Sequence, residues 1–439
     1  MGSQGMPNFA RILFDLGQAM KRVYWNKDRL QKYQEKKLRS VVKYAYDFVP
    51  FYHEKFKKAG IMPQDIRTLD DLCKLPIVRK GEMRLENPNR LVSSGFELNK
   101  LKSVRTSGST GQPFTIYMSG SEEDWRKAIY MRANISCGQK IRDRWVVITS
   151  HHHFNDTTGI QRTLGIYAQT CIDVFNSVEQ QIRLISEAKP DILDGYSGSL
   201  LLLAGEVNSR GLKTIRPRII FGTADLIDVH SIRFLEKAFE APYYDQFGCA
   251  EVDRSAWQCY EKTGYHMDVD SVITQFVDED GDETGTGERG EVVYTNLYSY
   301  AMPFIRYAIG DVGIRSNEKC PCGRTFPLMK VVEGRKDSLL HLPDGRVLSP
   351  MAFRIAISRF FGDITQYRVI QKKRDLFQIC IRKSRQDINE EVMETELVAH
   401  ISKMLRVSPR DVTFQVDFVE KIPLEKTGKL MAVVSELKA

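Results

Sequence analysis

The 439-residue sequence lacks any run of about 18 apolar residues, so it predicts no membrane-spanning helix. The segment from Phe9 to Met20 is amphipathic and carries Asp15, unlike the apolar core of a signal peptide. Met6 occupies the position at which N-myristoylation requires Ser or Thr. Eight cysteines without an export signal indicate a reducing compartment, and we expect a cytoplasmic protein.

The sequence also lacks a dense stripe of Lys and Arg with interleaved aromatic residues, which argues against a nucleic-acid partner. The net charge is +8, and much of the excess lies in the first ninety residues, as at Lys36 and Lys37. This pattern favours a solvated helical face, although a mildly basic surface also attracts anions such as nucleotides and coenzymes. Nothing in the sequence indicates an oligomeric state.

Strands and helices alternate through the middle of the chain. Residues 144–149 and 218–222 are short apolar runs typical of strands, whereas Val178 to Ala188 and Val229 to Phe239 have helical periodicity. Alternation of this kind predicts a wound α/β sheet. A mainly helical part, about residues 1–100, precedes it.

The pattern changes after Tyr243. Two strand-like segments, 272–278 and 290–298, flank a turn-rich run and predict a β-hairpin. A compact α+β pattern begins near residue 335. We therefore predict a large α/β domain over residues 1–335 and a small, mobile α+β domain over residues 336–439.

A run of hydroxyl side chains and glycines, closed by Pro113, lies between two strand-like segments. Its short side chains leave backbone N–H groups accessible, which suits a bound polyphosphate. A P-loop would need Gly-Lys-Ser/Thr before a helix, and that signature is missing. The alternative interpretation is a solvated hairpin turn. The run consists of Thr106, Ser107, Gly108, Ser109, Thr110 and Gly111.

Two carboxylates follow predicted strands. Residues 244–248 form a strand end that turns through Gly248 to Glu251, a carboxylate that can hold a magnesium ion bridging phosphate oxygens. Asp311 is predicted on a turn after an apolar strand, where it can accept both hydroxyls of a ribose. A surface Glu at a turn and an ordinary Asx turn are the alternatives.

Two charged loops complete the pattern. Glu333 to Asp337 lies at the expected domain boundary, and the loop from Pro423 to Lys429 ends on a Gly-Lys pair. Taken singly, each is best interpreted as a solvated charged loop.

In their order and spacing, these five motifs resemble those of the adenylate-forming superfamily of acyl-CoA ligases, adenylation domains and luciferases. Within it, the chain is most similar to the phenylacetate–CoA ligase group, over nearly its whole length. The resemblance implies an AMP-forming acid–thiol ligase. Such an enzyme activates a small carboxylic acid with ATP, releases pyrophosphate, and passes the acyl group to coenzyme A.

The resemblance also implies a role for each motif. The hydroxyl-rich loop would hold the ATP phosphates, Glu251 would bind magnesium, and Asp311 and Arg335 would bind the ribose. Asp337 would be the hinge of the small domain. Lys429 would contact the carboxylate and the α-phosphate, because a cation between two approaching anions lowers the barrier. The adenine and acyl pocket would be lined by Tyr244, Asp245, Gln246, Phe247 and Gly248.

Three cysteines and a histidine form a second pattern. Cys320 and Cys322 lie beside Gly323 like half of a zinc knuckle, and Cys259 and His266 bracket a turn that suits two further ligands. A closed Cys3His set is normally structural. Relatives in the group often carry a similar set, so the resemblance supports zinc. The alternative is a set of reduced side chains without a metal.

The loop after the strand at residues 144–149 lies where the family places an aromatic residue near the acyl substrate. We interpret it as pocket-lining, in preference to a second metal site. Cys249 has no base at a readable spacing, which favours a small pocket residue over a nucleophile. The loop consists of His151, His152, His153 and Phe154.

Residues 340–350 depart from the family pattern. CoA-using relatives tend to carry a basic residue and glycine followed by Val-x-Pro, whereas here an Asp344-Gly345-Arg346 turn intervenes. Transfer of the acyl group to an amine or sugar, or adenylation of a cofactor without coenzyme A, therefore stays open. A nucleotide-binding relative without catalysis is a further alternative, against which the presence of Lys429 argues.

Overall fold

The computed structural model describes residues 8–105, 114–151, 157, 159–335, 339–408, 410–425 and 431–437. Its helices are α1 (Phe9–Arg22), α2 (Lys27–Phe48), α3 (Pro50–Lys58), α4 (Lys80–Leu85), α5 (Pro88–Leu91), α6 (Gly120–Ser136), α7 (Gly159–Leu164), α8 (Val178–Ala188), α9 (Ser197–Ser209), α10 (Val229–Phe239), α11 (Pro350–Ser358) and α12 (Glu390–Leu405). Among these described helices, none has both the length and the apolar character needed to cross a bilayer.

The strands are β1 (Val78–Arg79), β2 (Lys102–Arg105), β3 (Thr115–Met118), β4 (Trp145–Thr149), β5 (Gln169–Asp173), β6 (Ile192–Tyr196), β7 (Ile219–Thr223), β8 (Tyr243–Cys249), β9 (Asp253–Gln258), β10 (Tyr265–Met267), β11 (Val272–Val277), β12 (Arg289–Asn296), β13 (Tyr307–Ser316), β14 (Leu328–Arg335), β15 (Leu340–His341), β16 (Val347–Leu348), β17 (Ile364–Lys373), β18 (Leu376–Lys383), β19 (Thr413–Phe418) and β20 (Val433–Ser435).

The chain divides into two compact units. The first comprises Met1–Cys137 and Gln246–Val332, and the second comprises Gly138–Asp245 and Glu333–Ala439. Strand β8 crosses the division, so the motif at residues 244–248 belongs partly to each unit. The predicted domains, residues 1–335 and 336–439, divide the chain at different points and stay a prediction.

The first unit combines helices α1–α6 with strands in the order β11-β12-β13-β14-β10-β9-β8. The β11–β12 hairpin predicted from the turn-rich run is confirmed, with Val272 opposite Asn296 and Val277 opposite Glu291. Helix α2 turns its apolar stripe into the core, where Leu38 is fully buried beside aromatic residues of α3 and β13.

The second unit contains parallel strands in the order β5-β4-β6-β7; helices α7, α8 and α9 lie between them in the chain, and α10 follows β7. This confirms the wound α/β sheet predicted from the strand–helix alternation. Both faces of β6 are buried, as expected where helices cover a parallel sheet.

The carboxyl-terminal part of the second unit is an α+β assembly, as predicted. Its strands lie in the order β19-β18-β17-β20, and helices α11 and α12 pack with them. Residues between 340 and 433 share a hydrophobic core that includes Phe353, Val369, Phe377 and Leu397. This part of the chain therefore has a core of its own.

Candidate active site and metal centre

Several predicted site residues lie outside the part of the chain that the structure describes. They are Thr106, Ser107, Gly108, Ser109, Thr110, Gly111, His152, His153, Phe154, Asp337 and Lys429. Arg335 ends strand β14, but its side chain also lies outside the description. The strands predicted to flank the hydroxyl-rich loop are confirmed, because β2 and β3 pair antiparallel from Lys102–Met118 to Arg105–Thr115.

Glu251 lies in the tight turn between β8 and β9 and is only 4% exposed. The Tyr307 hydroxyl donates a hydrogen bond to Glu251 Oε1 at 3.0 Å, and Lys80 Nζ lies 3.2 Å from the same oxygen. Strand β13 supplies the tyrosine, and the start of α4 supplies the lysine. The predicted magnesium ligand is thus a buried carboxylate with one cationic and one neutral partner.

The environment of Glu251 keeps its carboxylate ionised. Burial raises its pKa, but the charge of Lys80 and hydrogen bonds from the backbone and from Tyr307 outweigh burial, so the pKa lies below its ordinary value. Burial and the Glu251 charge raise the pKa of the Tyr307 hydroxyl, which therefore remains a donor. A single ionised carboxylate fits magnesium, which usually takes one or two carboxylates and completes its shell with water and phosphate oxygens.

The turn that carries Glu251 has little room and an unusual backbone. A Cβ on Gly248 would lie 2.1 Å from Asp253 O, at a point where the register between β8 and β9 shifts. Asp253 has a φ of 62°, in the left-handed region, which residues other than glycine adopt infrequently, although aspartate adopts it more often than most. Such a conformation persists only where surrounding contacts fix it.

Cys249, two residues before Glu251, is a half-buried thiol. Burial and the negative charge of Glu251 raise the pKa of this thiol well above its ordinary value. It is therefore protonated at neutral pH, whereas a nucleophilic cysteine has to be a thiolate. Its role as a small pocket residue stays a prediction.

Asp311 does not lie on a turn, as the sequence predicted, but inside strand β13. Residues 309–311 of β13 lie opposite a single residue of β12, which is a β-bulge. Gly310, with a φ of 83°, permits the bulge. The prediction was wrong because a glycine beside an aspartate is typical of turns and bulges alike.

The residues predicted to line the adenine and acyl pocket lie along β8. They are Tyr244, Asp245, Gln246, Phe247 and Gly248. In the second unit, Tyr243 donates its hydroxyl to Asp245 Oδ1 at 3.2 Å. In the first unit, Gln246 Nε2 donates to Asn134 Oδ1 at 2.7 Å. Both pairs are buried, which fixes the polar side chains along this strand.

His151 is the described member of the histidine tract. Its Nδ1 lies 3.6 Å from Asp173 Oδ2, because β4 and β5 are parallel neighbours and both residues lie at their carboxyl ends. More than half of the imidazole surface is exposed. Its predicted place in an acyl pocket stays a prediction.

Strand pairing brings the predicted metal ligands together. Strand β10 lies between β9 and β14, so His266 is beside the end of β9 and the loop before β14. The four ligand atoms of Cys259, His266, Cys320 and Cys322 lie within 4.8 Å of one another. We call these residues the Cys–His cluster. Cys259 Sγ is 3.4 Å from Cys320 Sγ, and Cys322 Sγ is 3.4 Å from His266 Nε2.

These spacings fit a tetrahedral metal site. Zn–S bonds of about 2.3 Å place two thiolates roughly 3.8 Å apart. His266 is oriented by its surroundings, since Nδ1 lies 3.4 Å from Phe326 O and the ring packs against Trp257 with centroids 5.1 Å apart. Burial lowers the pKa of His266 to about 4, so the imidazole is neutral at neutral pH.

Two residues of the Glu251 site were missed from the sequence. Lys80 is one of many lysines in the amino-terminal part, and no local pattern distinguishes it. Tyr307 stands in a mostly apolar segment ahead of Asp311, and a polar-tipped aromatic there was a weak signal. Lys80 reaches Glu251 because β1 pairs with β13 and brings the start of α4 close.

Two curated proteins resemble the chain over most of its length. The phenylacetate-coenzyme A ligase of Thermus thermophilus is 24% identical over 385 residues, which is 85% of this chain and 86% of that protein. The phenylacetate-coenzyme A ligase of Pseudomonas putida is 28% identical over 329 residues, or 71% of this chain and 72% of that protein. A scan against protein-family models finds no match.

Among solved structures, 2-hydroxyisobutyryl-CoA ligase in the postadenylation state, in complex with R3-HIB-AMP, aligns with a TM-score of 0.80. The alignment covers 95% of this chain and 91% of that one at 19% identity, which establishes the fold alone. The fold is that of the adenylate-forming ligases. Within that class, the chain is similar to phenylacetate–CoA ligases, at 24% and 28% identity to the two relatives above. The fold class and the family resemblance predicted from the sequence are confirmed.

Proposed function

We propose that this protein activates a small carboxylic acid as its acyl-adenylate and then transfers the acyl group to coenzyme A. The observation that carries the proposal is the buried, ionised Glu251, held by Lys80 and Tyr307 at the end of β8. The similarity to phenylacetate-coenzyme A ligases over most of the chain supports it.

In the first step, a carboxylate oxygen attacks the α-phosphorus of ATP, the bond to the bridging β-phosphate oxygen breaks, and pyrophosphate leaves. Two anions approach each other, so cations and N–H donors at the point of approach lower the barrier. In the proposal, Lys429 supplies such a cation, and the loop from Thr106 to Gly111 holds the departing phosphates. Magnesium held by Glu251 would supply charge neutralisation at the phosphate oxygens.

The chain's own contacts prepare Glu251 for that role. Lys80 keeps the carboxylate ionised, and the Tyr307 hydroxyl fixes the orientation of Oε1. In the same proposal, Asp311 and Arg335 bind the ribose. Asp337 is the hinge on which the small domain moves between the two half-reactions.

In the second step, the thiol sulfur of coenzyme A attacks the acyl carbon, the C–O bond to AMP breaks, and the thiol proton passes to solvent. One observation favours a different acceptor. In the turn between β15 and β16, Arg346 donates to Leu405 O at 2.9 Å and to Arg406 O at 3.0 Å. CoA-using relatives tend to carry a basic residue in this element, but here Arg346 is already bonded to carbonyl groups at the end of α12. An amine or sugar acceptor is therefore the second candidate.

We also propose that the Cys–His cluster holds a zinc ion with a structural role. Its four ligands would fill a tetrahedral shell, and a filled shell has no position for substrate. The ion would then stabilise the structure locally, by holding β10 to the loop after β9 and to the loop before β14.

Mass spectrometry of the products distinguishes the acceptors. The protein is incubated with ATP, magnesium and a panel of carboxylic acids, with and without coenzyme A. The proposal predicts an acyl-CoA and one AMP per acyl-CoA. Formation of the same acyl-adenylate in both samples, with no thioester, would exclude coenzyme A and leave the second candidate.

A further inference from the structure

Three successive carbonyl groups in the Glu251 turn each accept a hydrogen bond from a side chain. Arg126 donates through Nη1 to Ala250 O at 2.9 Å and through Nη2 to Glu251 O at 2.8 Å. The Tyr298 hydroxyl donates to Val252 O at 3.0 Å. We propose that Arg126 and Tyr298 are positioning residues that hold this turn so that Glu251 presents its carboxylate to a metal ion on ATP.

The turn requires such support because its backbone is unfavourable. Asp253 adopts a left-handed conformation, and Gly248 leaves no space for a side chain beside it. A tight turn also removes its carbonyl groups from the hydrogen bonds of the strand ladder, and they need other donors. One guanidinium and one hydroxyl supply these donors to three residues in a row.

The two positioning residues are themselves connected through α6. The Arg126 guanidinium lies 5.8 Å from the ring centroid of Tyr298. Glu122, in the first turn of α6, accepts hydrogen bonds from the backbone N–H groups of Tyr300 and Ala301, the latter at 2.8 Å. Helix α6 therefore holds both Arg126 and the segment that carries Tyr298 against the turn.

A second arginine provides a matched control. Arg254, on β9, donates to the carbonyl oxygens of Ile129 and Tyr130 on α6, at 2.8 Å for Tyr130. Like Arg126, it links α6 to the segment after β8, but its hydrogen bonds go to carbonyl groups of the helix and not to those of residues 250–252. If both arginines only stabilised the fold, replacement of either one would have the same consequences.

The inference rests on the proposed function, and its test separates metal binding from turnover. Mn2+ binding in the presence of α,β-methylene-ATP is followed by electron paramagnetic resonance. We expect Arg126→Gln to weaken Mn2+ binding about 10- to 100-fold, as is typical of residues that orient a metal ligand, and Tyr298→Phe to weaken it less. Arg126→Lys, which keeps the charge with a single donor group, should recover part of the loss.

Arg254→Lys should lower the melting temperature and leave Mn2+ binding within about twofold of the wild type, because it does not orient the ligand. Wild-type Mn2+ affinity in both Arg126→Gln and Tyr298→Phe would overturn the inference. If Arg126→Gln does not fold, Tyr298→Phe decides, since it removes only a hydroxyl. If the wild type binds Mn2+ with the analogue but no tested acid supports pyrophosphate exchange, the proposed function is contradicted. The metal titration would then still decide this inference.

Discussion

Strand β9 joins two sites of opposite chemical character. Its first residue follows the turn that carries Glu251, an ionised carboxylate that contacts Lys80 and Tyr307, and Arg126 donates to the backbone of this turn. Its last residue precedes Cys259 of the Cys–His cluster, where thiols and an imidazole converge without a carboxylate among the four ligands. Six residues of strand, about 20 Å, separate them.

The difference indicates how each site is completed. The Glu251 site supplies one metal ligand and needs substrate phosphates and water for the others. The Cys–His cluster supplies four ligands from the chain alone. Changes at the first end of β9 should therefore affect catalysis more than stability, and changes at the other end should affect stability more than catalysis.

Glu251→Gln is expected to have the largest effect. It keeps the size of the side chain but removes the charge, and we expect acid-dependent pyrophosphate exchange to fall roughly 10²- to 10³-fold, the cost of removing one preorganised electrostatic group. The melting temperature should also fall, but by much less than activity, because the ionised carboxylate paired with Lys80 stabilises the fold at neutral pH. Exchange assays and thermal melts on the purified variant measure both quantities.

Glu206→Gln is the matched control for that variant. Glu206 is also a buried carboxylate with cationic partners, Arg210 at 2.9 Å and Arg382 at 3.2 Å, but it belongs to α9. It should keep wild-type exchange per folded molecule. Equal losses in the two variants would mean that burial of charge, and not metal binding, explains the effect at Glu251.

Cys320→Ser should act at the other end of β9. We expect loss of one bound zinc per chain and a melting temperature lowered by about 2–4 °C for each kcal/mol of lost stability. Metal analysis and thermal melts test this. Cys137→Ser, at a buried thiol outside the cluster, should keep its zinc. A wild type without metal that melts at the same temperature after chelation would refute the zinc proposal.

Gly248→Ala should disturb both quantities at the Glu251 end. The added Cβ would meet Asp253 O at 2.1 Å and Arg254 Cα at 2.7 Å, so the backbone must move. Overpacking of this kind costs about 1–3 kcal/mol, and the displaced turn should also lose exchange activity. Within the described residues, a Cβ on Gly17 of α1 would meet no atom within 4 Å. Gly17→Ala should therefore keep both activity and stability.

Tyr307→Phe should have the smallest effect, visible mainly in the pH dependence. The Glu251 pKa is lowered in the folded protein, so its contribution to stability is present above the unfolded pKa and is lost as pH falls through the folded pKa. Loss of the tyrosine hydrogen bond, about 1 kcal/mol, should shift the acid limb of the exchange profile to higher pH. An acid limb at unchanged or lower pH would contradict the role assigned to Tyr307.

The sequence was sufficient for features that depend on local pattern. Glu251 follows a strand and a glycine, and the β11–β12 hairpin follows from its turn-rich connection. The Cys–His cluster was predictable because cysteine and histidine are rare and their metal chemistry is specific. These residue types restrict the interpretation even when their spacing is unusual.

Features that depend on tertiary contact could not be obtained in this way. Lys80 reaches Glu251 through the pairing of β1 with β13, and the sequence around Lys80 does not predict that pairing. The bulge that holds Asp311 depends on how β12 and β13 align, and a sequence pattern does not separate it from a turn. Arg126 is one of several polar residues on α6, and its position in the helical pattern does not indicate that it bonds to the turn that carries Glu251.

The most direct test of the proposed function is ATP–pyrophosphate exchange by the wild-type protein with a panel of aliphatic and aryl carboxylic acids. We expect exchange that requires magnesium and at least one acid, and that is lost in Lys429→Ala while ATP binding remains. ATP binding without exchange for any acid would contradict it and identify a nucleotide-binding relative that does not form adenylates.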